Sequence, residues 1–498
     1  MTRLSEKLAA ALSSRDRRLI RRRLPEPPSD ILPEIDFTSN DYLSLSTSPA
    51  LRKAVLDALS ATQNILGSGG SRLLVPSQPH AELESRVSRF FGADAALLFN
   101  SGYDANVGFF SAVPQPGDVV LYDAHIHASV HDGMRLSRLA PASLLPFLHN
   151  SVLGLRRALA KLLEDRADLK HGKTSAFIAV ESLYSMDGTI APLAHIVECV
   201  EEMLPLGNGY IVVDEAHATG IYGSKGRGLV ADMGLEKRVF ARLHTFGKAL
   251  ASSAAVLLTT EIVKDYLLNY ARSLVYTTTL PFANIVAIHC SFDMLEDGTA
   301  EALSKHLLAI STYFVDLLRS ELKKYPSSLI SLPDHLTPAT SDQANEPTPQ
   351  PWEIDPRDEQ SWRNKASPVR DTPYTPYPSL PTPIIPILTP EPRALSTFLF
   401  SYASSSPPAL LLDSATSSAP TRVVALHTKP IYPPTVPKGT ARVRICLHAG
   451  HTREDVTLLA QGIVAWAEKR MTEDRRRSAR WQGFAKDVGV EAWMAAKL

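Results

Sequence analysis

The sequence predicts an α/β protein in which a large domain with a mainly parallel sheet is followed by a smaller α+β domain. Short apolar runs alternate with longer amphipathic stretches from Ala95 to Leu243, the pattern of strands joined by crossover helices. Residues able to do chemistry fall just beyond those apolar runs, at Glu181, Asp214 and Thr245. Between Asp334 and Ser379 proline and charge replace the periodicity, and order returns at Ile384.

Residues 4–20 place Leu4, Leu8, Leu12, Leu19 and Ile20 near helical spacing, with Arg15, Arg17 and Arg18 toward the other face. Pro25 to Pro33 end that helix, and Ile35 to Phe37 reads as a short strand entering Ser39-Asn40-Asp41-Tyr42. A helix over 48–60, a flexible loop at Gly67 to Arg72 and a helix from His80 to Phe91 lead to the strand Ala95 to Phe99. Gly102 and Tyr103 then open a helix whose free N–H groups suit a phosphate. Strands follow at Val119 to Tyr122, Ser175 to Val180, Gly209 to Val213 and near Val239 to Leu243, with a helix at Leu193 to Met203. Helices at Ala283 to Asp297 and 300–324 carry the chain away from this domain. The last part holds strands at Ile384 to Leu388, Arg422 to His427 and Ala441 to His448, and helices at Pro392 to Tyr402 and Thr452 to Glu468. The expected division is an N-terminal helix and strand (1–45), a large domain (46–297) and a small domain (298–498). The small domain carries a Pro-rich insertion at 334–379, read as flexible, with a partner-binding segment as the alternative.

Composition narrows the function. The 498 residues carry 52 basic and 52 acidic side chains, so no overall charge recommends nucleic acid or an anionic membrane as partner. Three cysteines far apart, Cys199, Cys290 and Cys446, form no C-x-x-C pair and suggest neither a disulfide framework nor a zinc site. No apolar run reaches the roughly 18–20 residues that cross a bilayer. The N-terminus is rich in Arg, Ser, Ala and Leu like a mitochondrial transit peptide, apart from Glu6 and Asp16. The final Ala496-Lys497-Leu498 differs by one small residue from the S-K-L peroxisomal address. The expectation is a peroxisomal protein read by an import receptor, with cytoplasm or mitochondrion as alternatives.

In open parallel sheets functional groups gather beyond the carboxyl ends of the strands. Glu181, Ser185 and Asp187 follow one strand, Asp214, Glu215 and His217 the next, and Thr245 and Lys248 a third. Lys248 is followed by Ala-Leu-Ala-Ser-Ser-Ala-Ala-Val-Leu; an amine kept from water shifts toward its neutral form and makes Schiff bases with carbonyls. Taken alone it could equally be a lysine snorkelling out of a buried segment. His125, His127 and His131 lie within seven residues but without H-E-x-x-H or a matching carboxylate cluster, so no metal is expected. Together the candidates suit pyridoxal phosphate. Asp214 would keep the ring nitrogen protonated, His217 and Ser185 would face the ring oxygen, and Gly102, Tyr103 and Thr245 the phosphate, with His127 as an aromatic plate.

The words "DFTSNDYLSL" (36–45), "GSGGSRLL" (67–74), "FNSGYDAN" (99–106), "IHASVHDGMRLS" (126–137), "ESLYSMDG" (181–188), "DEAHATGIYGSKGRG" (214–228), "TFGKA" (245–249), "VYTTTLPFA" (275–283) and "PPTVPKGTARVRICLHAGHTREDV" (433–456) run through nearly the whole chain. In content and order they resemble the α-oxoamine synthases, pyridoxal-phosphate enzymes of fold type I with the aspartate aminotransferase-like architecture, and most closely the branch that condenses L-alanine with pimeloyl-CoA. The resemblance implies a homodimer with shared active sites. It implies Lys248 as covalent anchor of the cofactor and proton carrier, Asp214 at the ring nitrogen, His217 and Ser185 at the ring oxygen, and His127 over the ring. It also implies Thr278 reaching the partner's site, Arg444 holding the amino-acid carboxylate, and Arg21 and Thr435 touching substrate. Branches that make 5-aminolevulinate or 2-amino-3-ketobutyrate remain alternatives, as does a non-catalytic scaffold on the same fold. The chain departs from the family pattern at Tyr432, in the glycine-poor stretch after Lys248 and in the insertion.

Overall fold

The structure, a computed structural model, describes residues 2–18, 20–24, 34–74, 76–337, 380–402 and 424–487. Most of the Pro-rich insertion, with Trp352 and Trp362, and the C-terminal Ala496-Lys497-Leu498 lie outside these residues. In chain order the strands are β1 (Glu34–Asp36), β2 (Ala95–Phe99), β3 (Val119–Asp123), β4 (Leu144–Phe147), β5 (Ala176–Glu181), β6 (Gly209–Asp214), β7 (Ala241–Thr245), β8 (Ala255–Thr259), β9 (Ile384–Leu388), β10 (Ala425–His427), β11 (Lys429–Ile431) and β12 (Arg442–Cys446).

Seven of them form one sheet in the order β2-β8-β7-β6-β5-β3-β4. Neighbours from β7 to β4 are parallel, while β8 runs antiparallel to both β7 and β2. The mainly parallel expectation holds, with β8 as the reversed strand that sequence reading absorbed into the apolar surroundings of Lys248. Every residue of β5 is buried, because helices cover both faces. Phe177 and Ala179 enter one apolar cluster, and Ile178 and Val180 the other. Phe177, Ile178 and Val180 each contribute about 1.5–3 kcal/mol by their burial.

The small domain carries the antiparallel sheet β11-β12-β9, with the helices Pro392–Phe400 and Arg453–Asp487 packed on each other beside Thr299–Leu322. The final helix runs well beyond the expected Glu468. The expected boundary at 45 needs one correction. β1 pairs in parallel with β10, Phe37 N–H donates to His427 O, and Cys446 N–H donates to Phe37 O. The N-terminal strand is therefore part of the C-terminal layer. The helix Arg3–Arg17 buries none of its residues, leaving Leu4, Leu8 and Leu12 exposed.

Candidate active site

Three of the parallel strands end in acids. Asp123 closes β3, Glu181 closes β5 and Asp214 closes β6, with Glu181 and Asp214 paired in register. Two carboxylates so close in a dry setting cannot both hold charge cheaply. Burial first, and then Asp214, push the Glu181 carboxyl well above its ordinary value. Asp214 keeps two donors: Ala216 N–H on Oδ1 (2.9 Å) and Asn106 Nδ2 on Oδ2 (2.8 Å).

Lys248 lies in the turn joining β7 to β8. Phe246 N–H donates to Ala254 O, Ser252 N–H to Phe246 O and Ala251 N–H to Lys248 O, which fold the turn back over the end of β7. Glycine is the usual way to close such a turn, yet this one puts Ala251 and Ala254 at φ of 47° and 84°. Burial lowers the lysine's affinity for its proton, against the pull of Asp214 and Glu181. Its Nζ is 3.0 Å from His217 Nε2. His217 is buried, and burial followed by the charges of Lys248 and Arg444 hold it well below its ordinary range, hence neutral.

From His217 the contacts run outward to the small domain. The hydroxyl of fully buried Tyr42 is 2.7 Å from His217 Nδ1 and 3.2 Å from Asn40 Oδ1. Arg444 Nη2 donates to the same Asn40 oxygen (3.0 Å), and its Nε donates to Ser185 O (2.6 Å). Arg442, two residues earlier on β12, pairs instead with Asp187, whose carboxyl is held far below its usual range against the cost of burial by His125 and Arg442. Of the two arginines, Arg444 is thus the one joined to the lysine side of the cleft.

At the other edge, Ser101 caps the helix Gly102–Ala112 by accepting Asp104 N–H, and Ala105 N–H donates to Ser101 O. The first two N–H groups, of Gly102 and Tyr103, have no acceptor within the helix. A Cβ at Gly102 would stand 2.6 Å from Thr245 Cγ2, so only glycine lets this helix start approach β7 so closely. Tyr103 hydroxyl donates to Asp132 (2.6 Å), and the Thr245 hydroxyl has a long contact to Ala216 O (3.4 Å). His127 is exposed and caps the helix Ala128–Leu136, accepting Ser129 N–H on Nδ1.

The structure thus brings together Lys248, His217, Asp214, Thr245, Gly102, Ser185 and Arg444. Thr278 is exposed, and its carbonyl accepts Asn100 Nδ2 (2.8 Å) at the end of β2. Arg21 pairs with Asp16 (2.6 Å), and Thr435 is exposed in a turn closed on Tyr432 O; neither hydrogen-bonds to the cluster around Lys248. Sequence reading missed Asn40, Tyr42, Asn106 and Ser129, although all four stand inside quoted motifs. It also found no carboxylates for the histidine-rich segment. The fold supplies them from afar: His125 Nδ1 is 3.1 Å from Asp187, and the stacked His149 holds Asp123 and Thr189 at 2.8 Å each. Both His149 nitrogens and both Asp187 oxygens are taken up in this network, which ties the loop after β5 to Arg442.

Comparison with known proteins places the site in context. Residues 33–340 match the family described as aminotransferase class I and II. An 8-amino-7-oxononanoate synthase of Emericella nidulans is 40% identical over 477 residues, 95% of this chain and 98% of that protein. An aminoacyl transferase, sphA, of Aspergillus fumigatus is 33% identical over 442 residues, 87% of this chain and 81% of that one. A solved serine palmitoyltransferase of Sphingomonas wittichii shares the fold at a TM-score of 0.64 and 23% identity, covering 87% of each chain.

Proposed function

The chain belongs to the aminotransferase class I and II family and is a pyridoxal-phosphate-dependent C-acyltransferase of the α-oxoamine synthase kind, and we propose that it condenses L-alanine with pimeloyl-CoA. The products are 8-amino-7-oxononanoate, CoA and carbon dioxide. The observation that supports this reading is the unbroken path of contacts from Lys248 through His217, Tyr42 and Asn40 to Arg444, which joins an amine to the guanidinium that would receive a carboxylate. The reading is supported further by the 40% identity to the Emericella nidulans synthase over nearly both full lengths.

The residues fit the cofactor. The Gly102 and Tyr103 N–H groups with the Thr245 hydroxyl would take a phosphate, the Asp214 carboxylate would pair with a ring N–H, and Lys248 is the amine for an aldehyde. When bound, the cofactor supplies a ring that takes up the electron pair left at the amino-acid Cα. His217 and Ser185 would face its ring oxygen, and His127 would cover its ring. Arg444 with Asn40 fixes the alanine carboxylate, and Lys248, already inclined to give up a proton, moves protons at Cα.

A homodimer follows from the same reading. Leu66, Leu73, Leu74, Tyr103 and Tyr276 are exposed apolar side chains. Thr279 N–H donates to Gly70 O and Phe282 N–H to Leu66 O, holding the 65–74 and 276–282 segments together. This is the face we assign to the partner subunit, with Thr278 reaching across. Peroxisomal import through Ala496-Lys497-Leu498 is part of the proposal; a fluorescent fusion lacking Leu498 that keeps its location would remove it.

The deciding assay measures CoA release by purified protein with pyridoxal phosphate, crossing alanine, glycine and serine with pimeloyl, acetyl, succinyl and palmitoyl thioesters. Alanine with pimeloyl-CoA is the expected productive pair, and Lys248→Ala is expected to abolish it. Turnover confined to serine with palmitoyl-CoA would overturn the substrate assignment in favour of chemistry like that named for the solved palmitoyltransferase.

A further inference from the structure

Asn106 lies four residues after Gly102 on the same helix, hence on the same face, and is buried. Its Nδ2 donates to Asp214 Oδ2 at 2.8 Å and to Ser129 Oγ at 3.0 Å. An amide nitrogen carries two hydrogens and accepts nothing, and an ionised carboxylate accepts only, so Asp214 fixes which end of the amide turns toward it. Ser129 Oγ must then accept from Asn106. Its one hydrogen is left for His127 Nδ1, 2.7 Å away, and the Ser129 backbone N–H approaches the same nitrogen at 3.3 Å. With two donors converging on it, Nδ1 has to offer a bare lone pair.

We propose that Asn106 is a positioning residue that sets the tautomer of His127 through Ser129, so that a neutral ring presents its Nε2–H to the active site. A protonated ring would set its own Nδ1 hydrogen against both donors. Partial desolvation of the ring and the charge of Lys248 oppose the cation at His127, while Asp214 and Asp132 favour it, with His131 beside it on the following turn. The geometry stands without any ligand. Its use in catalysis rests on the proposed function, where an Nε2–H is a fixed donor for an oxygen that gains negative charge. Asn106 also makes two roles inseparable, because the group that orients the partner of the cofactor's ring nitrogen also orients the ring that covers it.

The test reads the tautomer by nitrogen NMR of protein labelled with ¹⁵N-histidine and free of cofactor, assigning the ring by its loss in His127→Gln. The result is therefore independent of whether alanine and pimeloyl-CoA are the substrates. In the unmodified protein the proton is expected on Nε2. Asn106→Leu keeps the volume but removes the donor, so the Ser129 hydroxyl is free to accept from Nδ1 as well as to donate to it, and the His127 proton is expected to divide between Nε2 and Nδ1. Ser129→Ala, a milder change, removes the hydroxyl donor and is expected to mix the two tautomers as well. A proton on Nδ1 in the unmodified protein would overturn the proposal, as would a folded Asn106→Leu protein, or a Ser129→Ala protein, whose ring is unchanged in tautomer and titration.

Discussion

Between Lys248 and Arg444 stands one hydroxyl, and it has one hydrogen to give. Tyr42 gives that hydrogen to Asn40 Oδ1 and meets His217 Nδ1 through its oxygen, so the state of the imidazole next to the lysine is tied to the amide next to the arginine. Tyr42→Phe keeps the buried ring and removes the link. Leaving buried His217 Nδ1 without its partner is expected to cost about 1–3 kcal/mol in urea unfolding, and to move the pH dependence of turnover. An unfolding curve and a pH profile that both match the unmodified protein would show that the hydroxyl does not hold His217. Lys248, His217 and Asp214 were legible in the sequence because each follows a strand, and Arg444, inside β12, because its motif resembles the family's. Tyr42 and Asn40 were not, because they enter from a segment roughly 175 residues earlier in the chain than His217, and nothing local marks their destination.

The turn that presents Lys248 shows the same division between what local sequence reveals and what the fold imposes. Its lack of glycine was visible, and the consequence is backbone held in the left-handed region at Ala251 and Ala254. For a non-glycine residue that region costs roughly 1–2 kcal/mol. Ala254→Gly is therefore expected to stabilise the protein by about 1 kcal/mol, read as a rise in unfolding temperature of the cofactor-free chain. A fall would mean that the freedom gained by the unfolded chain outweighs the relieved strain. The strands β2 and β9 and the helix Leu193–Met203 were found at the residues where they stand, since each is an apolar or periodic run bounded by turn residues. β8 was not. Its Ala-Val-Leu-Leu run is buried whichever way the strand points, so burial hides direction, and only its pairing with β7 and β2 reveals the reversal.

At the scale of the molecule, one half-buried and one buried carboxyl pull stability in opposite directions with pH. Burial tends to raise the Asp36 carboxyl, but hydrogen bonds from Ser39 and Thr38 outweigh it and lower it from 3.8 to about 2. Its contribution is present above pH 3.8 and is lost as pH falls through about 2. Glu215 accepts Leu229 N–H (2.9 Å) and Val230 N–H (2.8 Å), yet burial pushes its carboxyl from 4.5 up to about 7. Its contribution is complete below pH 4.5 and is lost as pH rises through about 7. Glu215→Gln, which stays neutral, is expected to remove up to about 3 kcal/mol from the fall in stability over that window. Denaturant midpoints measured across it would show the flattening, and an unchanged slope would mean that Glu215 is already ionised at pH 4.5. The pairing of β1 with β10 has a consequence for the order of events in the cell. Asn40 and Tyr42 leave the ribosome before the large sheet, but the strands that hold their segment, β10 and β12, leave after it. The large sheet, whose strands all lie between Ala95 and Thr259, can form while the chain is still growing. The path from Lys248 to Arg444 closes only once β12 has emerged, so a chain interrupted before it would carry the lysine without the arginine that ends its path.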